Sequence, residues 1–433
     1  MTDHVIHPEL AEHIRVTPLA DTHEHQHTEE SWINNGPADV LVDLLETYVT
    51  VDFYGAQSGQ QALDDGRLKT DMDIHDRWKA LEKAWGRIRT TGYGEAMAIH
   101  AREVYGIEEI TADALIAAQP ILDSIRKPGE RLRLLKEKAN LDHMQINGGP
   151  VLPPDPAGPE FFLHDMSWYQ ECIGTPDLKG LSKQTGEEIS DLATYRRALE
   201  AMYAKYAPYA CGVKSQHAYD RTLKWERRDD ADAEAVLRKV MRGEETTPAD
   251  KLCLGDWAWA RGVELAQEHD LPFKMHTGFY AGADNMIMDR IRAGHLSTLA
   301  VAYPNARLVC MHMAYPYESE LIALTKQFRH VYADMCWGWA INPYAGMNFV
   351  RTFLHATAVN KLFVFGGDTG YPTGTVGYAI QAREWLARAL TAEVNDGFMS
   401  VKQAMTVASQ VMYKNQRECF PIDRAQANIR KLA

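Results

Sequence analysis

Apolar positions along this chain alternate between two patterns. Short runs of four to six mainly apolar residues end in a polar side chain, and longer stretches repeat their apolar residues at helical spacing. From Asp191 onward the alternation is regular. Helical spacing over Asp191–Tyr206 precedes a strand at Tyr209–Ser215. A helix is expected to open at Thr247-Pro248-Ala249-Asp250, with Thr247 as N-cap and Pro248 at the first helical position, and to run to about His269. Strands follow at Pro272–His276, Arg307–His312, Val331–Cys336 and Lys361–Phe365. Helices separate or follow them at Asn285–Tyr303, Glu318–Phe328, Tyr344–Ala358 and Val376–Leu390. A last helix opens at Ser400, with Gln403 completing a capping box.

Upstream, the run Val16–Ala20 leads into Asp21-Thr22-His23-Glu24-His25, and Asn140–Ile146 and Phe161–His164 read as two further strands. The stretch Asp71–Lys138 is charged and helical, with Trp78, Leu81, Trp85 and Ile88 on one face. Gly148-Gly149-Pro150 and the proline-rich Leu152–Pro159 interrupt the pattern after the second strand. Consecutive strand–helix units with short connections imply parallel strands joined by right-handed crossovers. Eight strands make an α/β fold, a (β/α)8 TIM barrel with a helical insertion after the first strand–helix unit. The expected organisation is a single barrel over residues 1–433 with the insertion at 60–138. An open doubly wound sheet is the alternative, but no G-x-G-x-x-G follows any strand.

Composition narrows the partners. The 433 residues carry a formal net charge of −13, which argues against a nucleic-acid backbone as partner. No apolar run approaches the roughly 20 residues that span a bilayer, and the N-terminal residues lack the basic start and apolar core of a secretory leader. Six cysteines, scattered without a CxxC pair, suit reduced thiols. A cytoplasmic protein acting on a small molecule, with no nucleic-acid or membrane partner, is the expectation. Apolar helix faces beyond those a barrel needs would favour a homo-oligomer.

Chemistry in such a barrel sits where the strands end. Read in order, those ends carry His23 and His25, Lys214, His276, His312 and Asp368. Side chains two apart on a strand share a side, so His23 and His25 can reach one ion while Glu24 points away. With His276 and Asp368 they form a ligand set for one divalent metal, zinc or another ion such as Mn2+, with a position open for water or substrate. Asp368 is also placed for general-base work, and His312 is the candidate for a second acid/base group. Lys214 reads as a cation for a substrate carboxylate or phosphate, as a lysine carboxylated by CO2 to bridge two metals, or as an ordinary solvated lysine. Arg221 and Asp220 could contact substrate or form a surface pair, and Trp337 could line the pocket or pack.

These residues resemble the amidohydrolase superfamily, in its amidohydrolase-related branch. The likeness lies in His23-x-His25, Phe273-Lys274-Met275-His276-Thr277-Gly278-Phe279, Val309-Cys310-Met311-His312-Met313-Ala314-Tyr315-Pro316, Phe365-Gly366-Gly367-Asp368 and the closing Lys414–Phe420 segment. Gly212-Val213-Lys214-Ser215 and Ala314-Tyr315-Pro316-Tyr317 are similar to the amidohydrolase domain fused to glutamine-synthetase-like proteins. The helical stretch with Trp78, Trp85 and Tyr105-Gly106-Ile107 is similar to the insertion of uronate isomerases. The resemblance implies metal ligands at His23, His25, His276 and Asp368, with His312 near the metal. In uronate isomerases the histidine after the fifth strand need not be a ligand, which bears on His276. The segment Ser215-Gln216-His217-Ala218-Tyr219-Asp220-Arg221 departs from the usual tyrosine–arginine spacing by one inserted residue, which bears on Arg221 as a carboxylate anchor.

The resemblance implies a metal-dependent hydrolase in which activated water attacks a C–N or C–O bond of a small, carboxylate-bearing substrate. The alternatives are a uronate-isomerase-like aldose–ketose isomerase, a non-oxidative decarboxylase and, outside enzymes, a catalytically inactive small-molecule binding protein.

Overall fold

The computed structural model describes residues 6–56, 60–148 and 154–432. Residues 1–5, Gly149 and Pro150, and the start of the proline-rich segment at Leu152 and Pro153 lie outside the described residues. Eight parallel strands follow one another around a sheet in chain order. They are β1 Leu19–Glu24, β2 Leu141–Asn147, β3 Phe162–Ser167, β4 Ala210–Ser215, β5 Phe273–Met275, β6 Leu308–Cys310, β7 Val331–Asp334 and β8 Leu362–Phe363. Just past β8, Thr22 N donates to Phe365 O (3.2 Å), Asp368 N to His23 O (2.9 Å) and His25 N to Thr369 O (3.0 Å), which brings the last strand back to the first. The fold is a (β/α)8 TIM barrel, as the spacing predicts.

The barrel interior is filled in layers. Leu163, Cys211, Val309 and Phe363 come from four different strands and pack together with Phe420 and Ile422 of the C-terminal segment. Such residues can meet only inside the closed sheet. Lys274 is also fully buried. It donates to Asp165 Oδ2 and Thr22 O, both at 2.7 Å, and to Gln145, so its charge is paired and its donors are used.

Between β1 and β2 the chain is helical in short pieces, among them Ile74–Ile88, Gly92–Tyr105 and Ala112–Ile125. The continuous helical stretch expected at Asp71–Lys138 is broken where Thr91 caps the helix that follows it and where Gly106 turns left-handed (φ +70°) to end that helix. This segment packs directly on the barrel's own helices. Gln381 and Trp385 of the helix Pro372–Asn395 donate to Gly92 O and Glu95.

The capping predictions hold. Thr247 with Asp250 and Ser400 with Gln403 form reciprocal boxes at the helices Pro248–Glu268 and Val401–Ser409. One helix is shorter than its pattern. Regular α-helix in the region Asn285–Tyr303 is confined to Ser297–Ala302. The preceding residues form 3-10 turns whose groups are drawn elsewhere: Ile291 O accepts from Gly278 N, and Arg292 and Gly294 N bind Glu320. Among the described residues, no helix is long and apolar enough to cross a membrane.

Candidate metal centre

Three of the predicted residues converge at the C-terminal mouth of the barrel. His23 ends the inward row of β1, His25 lies just beyond it, and Asp368 follows β8. Asp368 Oδ1 is 3.3 Å from His23 Nε2 and 3.1 Å from His25 Nε2, and the ligating atoms of the three residues lie within 4.8 Å of one another. His23 and Asp368 are buried, whereas the His25 side chain is half-buried and faces a cavity.

The backbone here is strained. Asp368 has φ +57°, Trp337 has φ +63°, and His312, Met313 and Ala314 are left-handed in succession. That conformation costs a non-glycine residue about 1–2 kcal/mol, which only a surrounding structure that over-determines it can hold.

The electrostatics bear on a cation in two ways. Asp368 Oδ1 is buried and has no hydrogen bond among the described residues, although two imidazoles face it. Burial pushes the Asp368 carboxyl up, but His23 and His25 together outweigh that and hold it well below its ordinary range. The second indication lies beside it. His312 Nδ1 is 3.0 Å from Cys336 O, and His276 Nε2 is 2.9 Å from Phe279 O. With a proton on each of those nitrogens, His312 Nε2 and His276 Nδ1, 3.0 Å apart, face each other as two acceptors. Burial drives both imidazoles toward the neutral form, His312 down to about 4 and His276 well below its ordinary value. Each ring thus presents a lone pair to the other. Two imidazoles and a carboxylate oxygen with an open cavity above them fit a divalent metal of the zinc class.

The structure sorts the predicted residues into three groups. His23, His25 and Asp368 come together as one donor set. His312 stands beside them, with Nε2 3.9 Å from Asp368 Oδ2. His276 lines the same cavity, with Nε2 on Phe279 O and Nδ1 facing His312 Nε2, and its ring stands outside the group of three.

The expected substrate contacts lie outside the lining of that cavity. Arg221 is a structural residue: its guanidinium ion-pairs with Asp256 at 2.5 Å and donates to the carbonyls of Cys172, Thr222 and Lys224. Lys214 does not line the cavity. It is buried with Nζ 3.0 Å from Met311 Sδ, and burial lowers it to about 8, with Asp368 opposing the drop. Trp337 packs edge-on against His312 and at a tilt against Tyr48, behind the cavity wall.

The wall itself comes from residues of less obvious pattern. A cavity of about 530 Å3 is lined by Tyr48, Tyr169, Gln216, Tyr219 and Asp220 together with the site residues. Tyr169 donates to Asp220, and Tyr219 stacks on Tyr280. Tyr48 carries a signal only in retrospect, since it reads as one more apolar position of a helical face and yet turns left-handed (φ +43°).

An inward-facing donor set of imidazoles and a carboxylate at the mouth of a (β/α)8 barrel is of the kind that can hold a metal ion, and comparison with known proteins shows what the chain is similar to. The "Amidohydrolase" family model matches residues 191–400. The protein fluG of Emericella nidulans is 22% identical over 257 residues, 55% of this chain, and the chain spans only 30% of that protein's length. The matched residues are thus similar to the amidohydrolase family over just under half of the chain. Solved structures share the fold along nearly its whole length. Uronate isomerase from Thermotoga maritima aligns with a TM-score of 0.78 at 14% identity, covering 95% of this chain and 96% of that one. A Lactobacillus casei protein, provisionally assigned as a metal-dependent hydrolase, aligns with a TM-score of 0.66 at 15% identity, covering 96% and 98%.

Proposed function

We propose that this protein is a metal-dependent hydrolase that cleaves a C–N or C–O bond of a small polar substrate, with zinc as the ion. The observation that carries this reading is the buried Asp368 Oδ1, without a hydrogen bond among the described residues and faced by two imidazole nitrogens beneath an open cavity. His23, His25 and Asp368 would hold the ion, which supplies Lewis-acid polarisation of a carbonyl and water of lowered pKa.

The chain's own groups do the rest. Asp368 Oδ2, turned toward His312, takes the proton of the attacking water and returns it to the leaving group. His312, kept neutral by burial, fixes the orientation of the polar groups around that oxygen through Nε2. Tyr48, Gln216 and Tyr219 offer hydrogen bonds to the substrate. Among the described residues that line the cavity, none is arginine or lysine. A substrate carboxylate therefore lacks the anchor expected at Arg221, and neutral or hydrogen-bond-donating substrates suit the wall better.

A second reading, aldose–ketose isomerisation of a uronate, is favoured by the fold likeness along 95% of the chain to a uronate isomerase. A panel of amides, lactones and esters beside hexuronates, assayed with zinc- and manganese-loaded protein, separates the two. The hydrolase reading expects turnover in the first set, abolished by Asp368→Asn with the fold retained. Turnover of hexuronates alone would overturn it.

A further inference from the structure

We propose that Glu24, the residue between the two histidines, is the positioning residue for Asp368: it holds the loop after β8 in the conformation that turns the Asp368 carboxylate toward His23 and His25. This rests on the reading of those three residues as a metal centre. The alternation of β1 sends Glu24 away from the imidazoles, where it cannot reach an ion held between them. It is nonetheless fully buried, and a buried carboxyl persists only where hydrogen bonds satisfy it.

Its bonds go to one place. Glu24 Oε2 accepts from Thr369 N (2.5 Å) and Thr369 Oγ1 (3.1 Å), and Oε1 accepts from Thr375 Oγ1 (2.8 Å). Gln26 Nε2 donates to the same Thr375 hydroxyl at 2.7 Å. The three consecutive amides of the loop are all given to β1: Gly367 N to Asp21 Oδ1 (3.4 Å), Asp368 N to His23 O (2.9 Å) and Thr369 N to Glu24. Asp368 is the left-handed residue at the centre of that row. Its φ of +57° is unfavourable for an aspartate left to itself, and the amides on either side of its side chain are pinned so that it cannot relax.

The glycines of the motif fit the same device. A Cβ on Gly367 would overlap Glu24 Oε1, and one on Gly366 would press on Cys336 and Thr22. The His-Glu-His and Gly-Gly-Asp motifs are thus two halves of one clamp, in which His23, His25 and Asp368 supply the ligand atoms and Glu24 sets their spacing. A free loop would let Asp368 return to negative φ and swing its carboxylate out of the set.

The test uses the full-length protein, stripped of metal and titrated with Co2+ against a chromophoric chelator. Three properties are read: Co2+ affinity, the visible absorption of the bound Co2+, and unfolding of the metal-free protein. Glu24→Gln keeps the size but presents an amide N–H to donors. It is expected to weaken Co2+ binding roughly 10- to 100-fold and to change the absorption band. Thr375→Val, which leaves Glu24 in place and removes one of its bonds, covers the case in which Glu24→Gln does not fold; it is expected to shift both readouts in the same direction by less. Affinity and spectrum equal to the parent in the variants that fold would overturn the proposal alone. So would an affinity loss with an unchanged spectrum that merely follows the lost stability of the metal-free protein. A parent that binds no Co2+ would overturn the metal-centre reading and this inference with it.

Discussion

Replacing Arg221 with methionine distinguishes a structural arginine from a substrate anchor. Methionine keeps the buried stem and removes the guanidinium. Asp256 then loses a 2.5 Å partner while 1% exposed, and retains only Arg228 at 3.1 Å from its other oxygen. The carbonyls of Cys172, Thr222 and Lys224 lose donors at the same time. Breaking a buried pair by removing one partner costs about 3–5 kcal/mol. The remaining Arg228 places this case near the lower figure, about a hundredfold in the ratio of folded to unfolded protein. Urea unfolding with an unchanged m-value is the assay. Adding Asp256→Asn should recover part of the loss, because the uncompensated carboxylate is then gone. A stability within about 0.5 kcal/mol of the parent, together with a raised KM for the identified substrate, would refute the structural assignment.

Two further outcomes follow from buried groups. Lys214 is held at about 8 against an ordinary 10.5. Below 8 it is charged in both states and the full cost of burying that charge is present; between 8 and 10.5 the unfolded chain binds more protons, so stability rises with pH; above 10.5 the cost is gone. The gap between those values corresponds to about 3 kcal/mol. Lys214→Met should therefore stabilise the metal-free protein near pH 7 by up to that amount, with the advantage fading across the same window in paired denaturation curves; an advantage independent of pH would contradict the reasoning. Gly262→Ala would drive a Cβ into the Trp168 indole, whose Nε1 is fixed on Ala258 O at 2.9 Å. A loss of about 1–3 kcal/mol in thermal unfolding is expected, and an unchanged melting temperature would show that the indole yields.

The barrel was legible because each strand is a short apolar run closed by a polar residue, and the polar residues at those ends are the ones the closed sheet gathers at its mouth. His23, His25, Asp368 and His312 could be picked out this way, since spacing along a strand decides where their side chains point. What could not be read depends on contacts across the chain. Arg221 resembles an anchor until Asp256, on the helix Pro248–Glu268, takes its guanidinium. Lys214 ends β4 as a site residue would, but it is withdrawn beside Met311. The helix expected from Asn285 starts only at Ser297, because Gly278 and Glu320 capture the groups its first turns would need. Glu24 pointed away from the histidines as strand geometry requires, but its partners lie on the loop after the eighth strand, which no local pattern connects to it.

The most direct measurement is metal content of gently purified protein by elemental analysis, beside a His23→Ala/His25→Ala double variant whose fold is checked by circular dichroism. Roughly one divalent ion per chain, lost in the variant with the barrel intact, is the predicted result for a three-ligand site with an open position. No ion even after reloading, or an ion retained by the double variant, would contradict the assignment of His23, His25 and Asp368 as the metal centre.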